Sequence, residues 1–306
     1  SPRRVDALAR ETVTAVSAAK YTTFAITSDG VLYAWGVGRG GRLGTGDERT
    51  HLLPVAVRGP LRKRRVAIVA TAKHHTLAAT VSGQLYSWGG EKFGKLGHHS
   101  EKTLDEDKIC TYPKYVEGDL KKKVVVAIAA GLSHSVAVTD EGHLYTWGSN
   151  EYGQLGHTSR SGQSKYGAAN NGTRKKSNSL SSSFGKSNGT MKQLNFFRNR
   201  SSSKGENHSV AGISEHGQKA GEIEIWALPT RVTALSIPKR DGRPRKVAKV
   251  AANEVSTCAV QCSGRVWQWG HSFPQPTRVS FPGTEELRRA NGLSTSPNGM
   301  YVIPRQ

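Results

Sequence analysis

Hydrophobic residues recur at every second position in short segments of the chain, and turn-forming residues separate these segments. Phe24 and Ile26 are two residues apart, as are Leu77 and Ala79. Residues at this spacing lie on one face of a β-strand. Asp29-Gly30, just after the first pair, is typical of a β-hairpin turn. The pattern predicts an all-β protein built of short strands joined by tight turns.

The same strand pattern occurs four times in one register. Each copy contains the seven-residue motif Gly-x-Leu/Val-Tyr/Trp-x-Trp-Gly. The second-last residue of the motif is Trp35, Trp88, Trp147 or Trp269. Three copies continue to Gly-x-Leu-Gly, and all four close with Pro-x-x-Val. Repeated units with three or four short strands are typical of the blades of a β-propeller. The alternative, two separate β-sandwiches, would not predict a fixed tryptophan register.

Residues at both ends of the chain resemble incomplete copies. Residues 2–5 match the closing Pro-x-x-Val element, and residues 293–303 match the spacing of residues 250–260. We therefore expect about four complete blades and two partial ones, in a segment of a longer protein.

A polar segment interrupts the third copy. Residues 158–225 are rich in Ser, Gly and Asn and poor in apolar residues. Such a composition buries too little apolar surface to offset the entropy lost on ordering. The sequence predicts propeller blades in residues 1–157, a disordered insertion in residues 158–225 and further blades in residues 226–306.

The charge of the chain is strongly positive, with 44 Lys and Arg against 23 Asp and Glu, a net charge of +21. Much of this charge recurs at one place in the repeat, at a constant distance before Trp88, Trp147 and Trp269, and again in the partial last copy. The candidate basic interaction face consists of Arg62, Lys63, Arg64, Arg65, Lys121, Lys122, Lys123, Arg243, Arg245, Lys246, Arg288 and Arg289.

Equivalent loops of a propeller emerge on one face, so these clusters predict a basic arc. Such an arc would attract a polyanion with an affinity that falls with salt. A protein with an acidic surface is the favoured partner, and nucleic acid or chromatin is an alternative. A third reading is that Lys and Arg only keep exposed turns soluble.

The histidine pairs at residues 74–75 and 98–99 are the obvious candidates for metal or acid-base chemistry. Adjacent residues on a strand point to opposite faces, so neither pair offers two ligands to one ion. His75 and His134 share one repeat position with Thr22 and Ser256. That recurrence predicts a repeated structural hydrogen bond.

No other group of residues predicts chemistry. Cys258 occupies a core position of its copy, and the glycine-rich residues 36–46 lack the Lys-Ser/Thr ending of a phosphate-binding loop. We expect no catalytic, metal or cofactor site and no enzymatic activity.

Two further expectations concern the compartment. No apolar run approaches the length of a membrane span. Three cysteines are too few for a disulfide framework, which favours the cytoplasm, the nucleus or both.

Residues 130–139, 145–148 and 153–156 resemble the regulator of chromosome condensation repeat, and the resemblance extends over nearly the whole chain outside the insertion. It implies a seven-bladed β-propeller. Residues 38–44 and the short last blade are most similar to the members that fuse ankyrin repeats to this propeller and also contain BTB domains.

The resemblance implies a non-catalytic propeller that recruits another protein, as a regulatory or substrate-binding part of a ubiquitin-ligase adaptor. The alternative is a guanine-nucleotide exchange factor for a small GTPase of the Ran type, with chromatin association. Exchange factors of the family act partly through an ordered wedge that is inserted between blades, whereas the insertion in this chain is polar and low in complexity. Photoreceptors of the family place tryptophans at residues 20–22, 73–75, 132–134 and 254–256, where this chain has none.

Overall fold

The computed structural model describes residues 1–98, 108–157, 224–235, 246–271, 273–279, 290–296 and 299–304, the last two ranges by their backbone alone. Blade 1 contains β1 (Val13–Ala18), β2 (Thr22–Thr27), β3 (Leu32–Gly36) and β4 (His51–Ala56). Blade 2 contains β5 (Val66–Thr71), β6 (His75–Thr80), β7 (Leu85–Gly90) and β8 (Ile109–Tyr115). Blade 3 contains β9 (Val125–Ala130), β10 (His134–Thr139), β11 (Leu144–Ser149) and β12 (Ile225–Arg231). Blade 4 contains β13 (Val247–Ala252), β14 (Ser256–Gln261), β15 (Val266–Gly270) and β16 (Phe273–Arg278).

Each blade is a four-stranded sheet whose strands pair with their neighbours in chain order, and the observed pairs are antiparallel. The first strands of successive blades lie side by side, β1 with β5, β5 with β9 and β9 with β13. The chain ends with a two-stranded antiparallel sheet, β17 (Ala290–Ser296) and β18 (Gly299–Pro304), and β17 lies beside β13. The all-β propeller architecture and the partial fifth copy are thus confirmed.

Short 3-10 turns connect the strands at two repeated positions. One group lies between the third and fourth strands, at Arg39–Gly41 and Lys92–Gly94. The other precedes the first strand of a blade, at Asp6–Leu8, Gly59–Lys63, Gly118–Leu120 and Thr233–Leu235. Each turn of the second group buries one leucine: Leu8, Leu61, Leu120 and Leu235.

The second strand of each blade is more deeply buried than the alternating pattern predicts. The pattern indicates one buried face, whereas every residue of β6, β10 and β14 is buried. Phe24 and Ile26 of blade 1 pack in one cluster with Ala78 and Trp88 of blade 2. Both faces are buried because one contacts the preceding blade and the other contacts the following blade.

An alanine lies ten residues before the motif tryptophan of each copy, and the packing between blades explains why this residue is small. Ala78, Ala137 and Ala259 are fully buried, each in a cluster with large residues of the preceding blade. A larger side chain at these positions would overpack the junction between blades.

The predicted insertion lies outside the described residues, apart from its last two. Ile225 pairs with Ser149, and the Glu224 carbonyl accepts a hydrogen bond of 2.7 Å from the Asn150 amide. These two contacts place Glu224 and Ile225 in blade 3, because β12 completes the sheet that β11 leaves open.

Candidate interaction surface and blade junctions

A backbone carbonyl joins each blade to the next one. It belongs to the variable residue of Gly-x-Leu-Gly. The Arg42 carbonyl of blade 1 accepts hydrogen bonds from Trp88 Nε1 at 3.0 Å and Thr76 Oγ1 at 3.2 Å, both in blade 2. The Gln154 carbonyl of blade 3 likewise accepts from Trp269 Nε1 at 2.9 Å and from a threonine hydroxyl of blade 4 at 2.8 Å. At the junction of blades 2 and 3 the Lys95 carbonyl accepts a hydrogen bond of 2.7 Å from Ser135 Oγ, whereas Trp147 Nε1 is buried without a hydrogen-bond partner. The tryptophan register therefore has a geometric cause at Trp88 and Trp269.

Two buried histidines strengthen these junctions. His75 Nε2 lies 2.8 Å from Ser135 Oγ, and His134 Nε2 lies 2.9 Å from Thr257 Oγ1. The two hydroxyls donate their protons to the carbonyls of Lys95 and Gln154, so each histidine must donate from Nε2. The predicted repeated hydrogen bond is confirmed.

The histidines are held neutral by their surroundings. Burial lowers the pKa of His134 to about 3, and burial together with the nearby Lys95 lowers the pKa of His75 well below its usual value. A neutral imidazole that donates from Nε2 has its lone pair on Nδ1, and both Nδ1 atoms are buried without a hydrogen-bond partner.

Blade 1 makes the same junction with a shorter side chain. Thr22 Oγ1 lies 3.3 Å from Thr71 Oγ1, which lies 3.0 Å from Thr76 Oγ1. Because threonine is shorter than histidine, the intervening Thr71 hydroxyl bridges the gap.

A second repeated histidine position was missed by the sequence reasoning. His98 and His157 directly follow Gly-x-Leu-Gly, and their Nε2 atoms lie 2.8 Å from Ser87 Oγ and 3.0 Å from Thr146 Oγ1. Burial is the main cause that lowers the pKa of each to about 4. Their common place after the glycine motif was the signal that could have revealed them.

The other sequence candidates for chemistry have structural roles. Cys258 is buried, which raises the pKa of its thiol to about 12 and keeps it protonated. Gly44 adopts φ +72°, and a Cβ there would lie 2.8 Å from Trp88 Nε1, so the glycine-rich segment serves blade packing. Within the described parts of the chain, no three His, Cys, Asp or Glu residues are grouped as a metal site would require.

The basic residues that the structure describes occupy equivalent loops. We use the name basic loops for residues 62–65, residues 121–123 and Lys246, which precede β5, β9 and β13. The side chains are exposed except for Lys123, which is half-buried. Arg243, Arg245, Arg288 and Arg289 lie outside the described residues.

Each basic loop is fixed to the hairpin of the preceding blade. The carbonyls of Gly30, Gly83 and Gly142 accept hydrogen bonds of 2.8, 3.0 and 3.0 Å from the first residues of β5, β9 and β13. Because the hairpins are equivalent, the basic loops emerge at the same end of successive sheets.

The basic loops differ in how far their charge is neutralised. Lys123 Nζ lies 3.1 Å from Glu141 Oε2, and this contact raises the pKa of the ammonium and lowers the pKa of the carboxyl. Arg64 instead hydrogen-bonds to the neutral amide of Gln84, and Arg65 donates to the Ser28 carbonyl at 3.2 Å. The first loop therefore offers more charge to a partner than the second one.

The described portion of the chain contains no helix with the length and apolarity needed to cross a membrane.

Four-stranded antiparallel sheets that repeat along the chain and pack through equivalent junctions define a repeat protein of the β-propeller class. Residues 29–79, 82–138 and 125–154 match the family models of the regulator of chromosome condensation (RCC1) repeat, so this part of the chain consists of RCC1 repeats.

Two curated relatives are similar to about half of the chain. The E3 ubiquitin-protein ligase HERC2 of Homo sapiens is 39% identical over 166 residues, which are 54% of this chain and 3% of that protein. The ultraviolet-B receptor UVR8 of Arabidopsis thaliana is 36% identical over 155 residues, which are 51% of this chain and 33% of that protein. The chain thus spans only a small part of either relative.

Among solved structures, yeast RCC1 (Prp20) bound to Kap60 aligns with 97% of this chain and 55% of its own, with a TM-score of 0.65 and 19% identity. At this identity the likeness shows the fold. Together, the repeats and the relatives support a protein-interaction propeller.

Proposed function

We propose that the chain is a non-catalytic recruitment module whose basic loops bind an acidic region of a partner protein. The observation that supports this proposal is the recurrence of exposed basic residues at one equivalent loop in successive blades. Solubility alone requires charge, but it does not require the same position in successive repeats. The first copy, with residues 9–12 at this position, does not share the cluster. Basic loops at equivalent ends of neighbouring blades can attract one extended acidic surface, and the attractions of the individual charges add up.

The similarity to HERC2 supports a finer proposal. HERC2 is an E3 ubiquitin-protein ligase, and 54% of this chain is similar to it. We infer that the chain acts as the substrate-binding or regulatory part of a ubiquitin-ligase adaptor, in the cytoplasm or the nucleus. The function of the light receptor UVR8 is not proposed, because residues 20–22, 73–75, 132–134 and 254–256 contain no tryptophan.

The binding experiment uses a fluorescent polyglutamate peptide as a model of an acidic partner. The double substitution Arg62→Glu and Arg64→Glu is expected to weaken binding about tenfold or more, since attraction becomes repulsion at two positions. The measurement is fluorescence anisotropy over a series of salt concentrations, in which the wild-type affinity falls as salt rises.

The control is the double substitution Lys20→Glu and Lys73→Glu, which changes the net charge equally in exposed loops of the other end of the sheets. It is expected to bind the peptide as the wild type does. Equal losses in both variants would mean that a diffuse field attracts the peptide, and they would contradict the proposal.

The Ran-type exchange factor remains the alternative function. A nucleotide-release assay with Ran distinguishes it from recruitment, and we expect no stimulation above the spontaneous rate. Clear stimulation by the wild-type chain would replace the recruitment proposal.

A further inference from the structure

A second charged surface lies at the opposite end of blades 1 and 2. Antiparallel strands alternate in direction, so the loops after β1 and β5 emerge at the end away from the basic loops. The turns Arg39–Gly41 and Lys92–Gly94, which follow the third strands, emerge there too. These four segments bring together basic and aromatic side chains from two blades.

In blade 1 the aromatic group is Tyr21. Lys20 Nζ lies 5.2 Å from the centroid of its ring, and the guanidinium carbon of Arg42 lies 5.8 Å from the same centroid. Arg42 Nη1 donates a hydrogen bond of 2.8 Å to the carbonyl of Lys73 in blade 2. This contact continues the surface from one blade to the next.

In blade 2 the aromatic group is Phe93. Lys92 Nζ and Lys95 Nζ lie 5.2 and 6.0 Å from the centroid of its ring. His74 lies between the two halves of the surface. Burial is the first cause that lowers its pKa to about 4, and the positive charges of Lys95, Lys73 and Arg42 lower it further.

The exposed part of this surface can contact a ligand. Lys20 and Lys73 are exposed, Tyr21 is 41% exposed, and His74, Lys92 and Phe93 are half-buried. Two carboxylates lie nearby: Glu91 is buried and lies 3.2 Å from Lys108 Nζ, and the exposed Glu48 accepts a hydrogen bond of 2.8 Å from the Gly40 amide. The charge of the exposed lysines therefore points to an anionic ligand.

The backbone at Phe93 supports a role for its ring. Phe93 adopts φ +67°, where the equivalent residue of blade 1 is Gly40 with φ +74°. A side chain in the left-handed region is strained, and such strain is concentrated at functional sites. Glycine would relieve the strain, so the aromatic ring at this position carries a local energetic cost.

We propose that this aromatic-basic surface, made of Lys20, Tyr21, Lys73, His74, Lys92 and Phe93, binds single-stranded nucleic acid. The basic side chains attract the phosphates, and the two rings stack with unpaired bases. An acidic peptide would use the charges and leave the rings without a role. The proposal is independent of the recruitment function, which concerns the basic loops at the other end of the sheets.

The test measures binding of labelled oligouridylate and oligothymidylate to the full 306-residue chain by fluorescence anisotropy. Lys20→Glu with Lys73→Glu, Tyr21→Leu and Phe93→Gly are each expected to weaken binding about fivefold or more, through lost phosphate contacts or lost stacking. Phe93→Gly suits the left-handed backbone, so its thermal midpoint should equal or exceed that of the wild type. A loss of binding by this variant therefore reports the ring and not the fold.

The control is Arg3→Glu with Arg10→Glu, two exposed arginines outside the basic loops and the aromatic-basic surface, which should bind both oligonucleotides like the wild type. The comparison of RNA with DNA identifies the source of the strand, since only RNA offers a 2′-hydroxyl. Three results would overturn the proposal: equal losses in the control, unchanged binding by the two aromatic variants, or equally tight binding of a duplex. Binding of polyglutamate that depends on Lys20 and Lys73, without binding of either oligonucleotide, would assign the surface to an acidic peptide.

Discussion

The buried histidines show how single residues make the blade junctions sensitive to acid. The pKa of His134 is lowered from 6.5 to about 3, so between these values the unfolded chain binds a proton that the folded chain does not. The stability that the neutral histidine contributes is complete above pH 6.5 and is lost as the pH falls towards the folded value. For one such group, linkage gives a loss on the order of 2 kcal/mol between pH 7 and pH 5.

Urea unfolding at these two pH values measures this effect. His134→Gln keeps an N–H donor but does not titrate, so we expect lower stability than the wild type at pH 7 and a smaller further loss at pH 5. If the variant and the wild type lose the same free energy between the two pH values, His134 is not the source of the pH dependence.

Glu141 is predicted to limit the charge of the second basic loop. Glu141→Gln removes the carboxylate 3.1 Å from Lys123 Nζ and should raise the affinity for polyglutamate about twofold, as expected for an exposed ion pair. Glu48→Gln, a control with the same charge change in the turn region after β3, should leave the affinity unchanged. Equal gains in both variants would show that only net charge matters.

At the scale of the element, the Gly-x-Leu-Gly turn sets the distance between neighbouring blades. Gly44→Ala places a Cβ 2.8 Å from Trp88 Nε1 on a backbone with φ +72°, which should destabilise the protein by about 2–4 kcal/mol. Gly90→Ala is the control, because the atom nearest to a Cβ added there, the His74 carbonyl oxygen, is 3.7 Å away. Thermal unfolding of both variants makes the comparison, and a similar small shift in each would contradict this role for Gly44.

The sequence predicted the strands and their register because one tryptophan marks each copy. It predicted His75 and His134 as structural residues because they recur at one position. It did not predict the burial of both strand faces, since that depends on neighbouring blades and not on the alternation within one strand. The partial neutralisation of Lys123 was also unpredictable, because Glu141 approaches it from the hairpin between β10 and β11, 18 residues further along the chain.

At the scale of the whole molecule, the net charge of +21 includes two distinct surfaces. The basic loops lie at one end of the sheets, and the aromatic-basic surface lies at the other end of blades 1 and 2. The first presents charge alone, whereas the second combines charge with aromatic rings. The two proposals therefore assign chemically different partners to separate ends of the blades.

The central claim is that the basic loops are the recruitment surface. It is tested most directly by the polyglutamate affinities of two variants with equal net charge, Arg62→Glu with Arg64→Glu and Lys20→Glu with Lys73→Glu. The proposal predicts about a tenfold loss for the first variant and a wild-type affinity for the second. Equal affinities of the two variants, or a larger loss in the second, would contradict it.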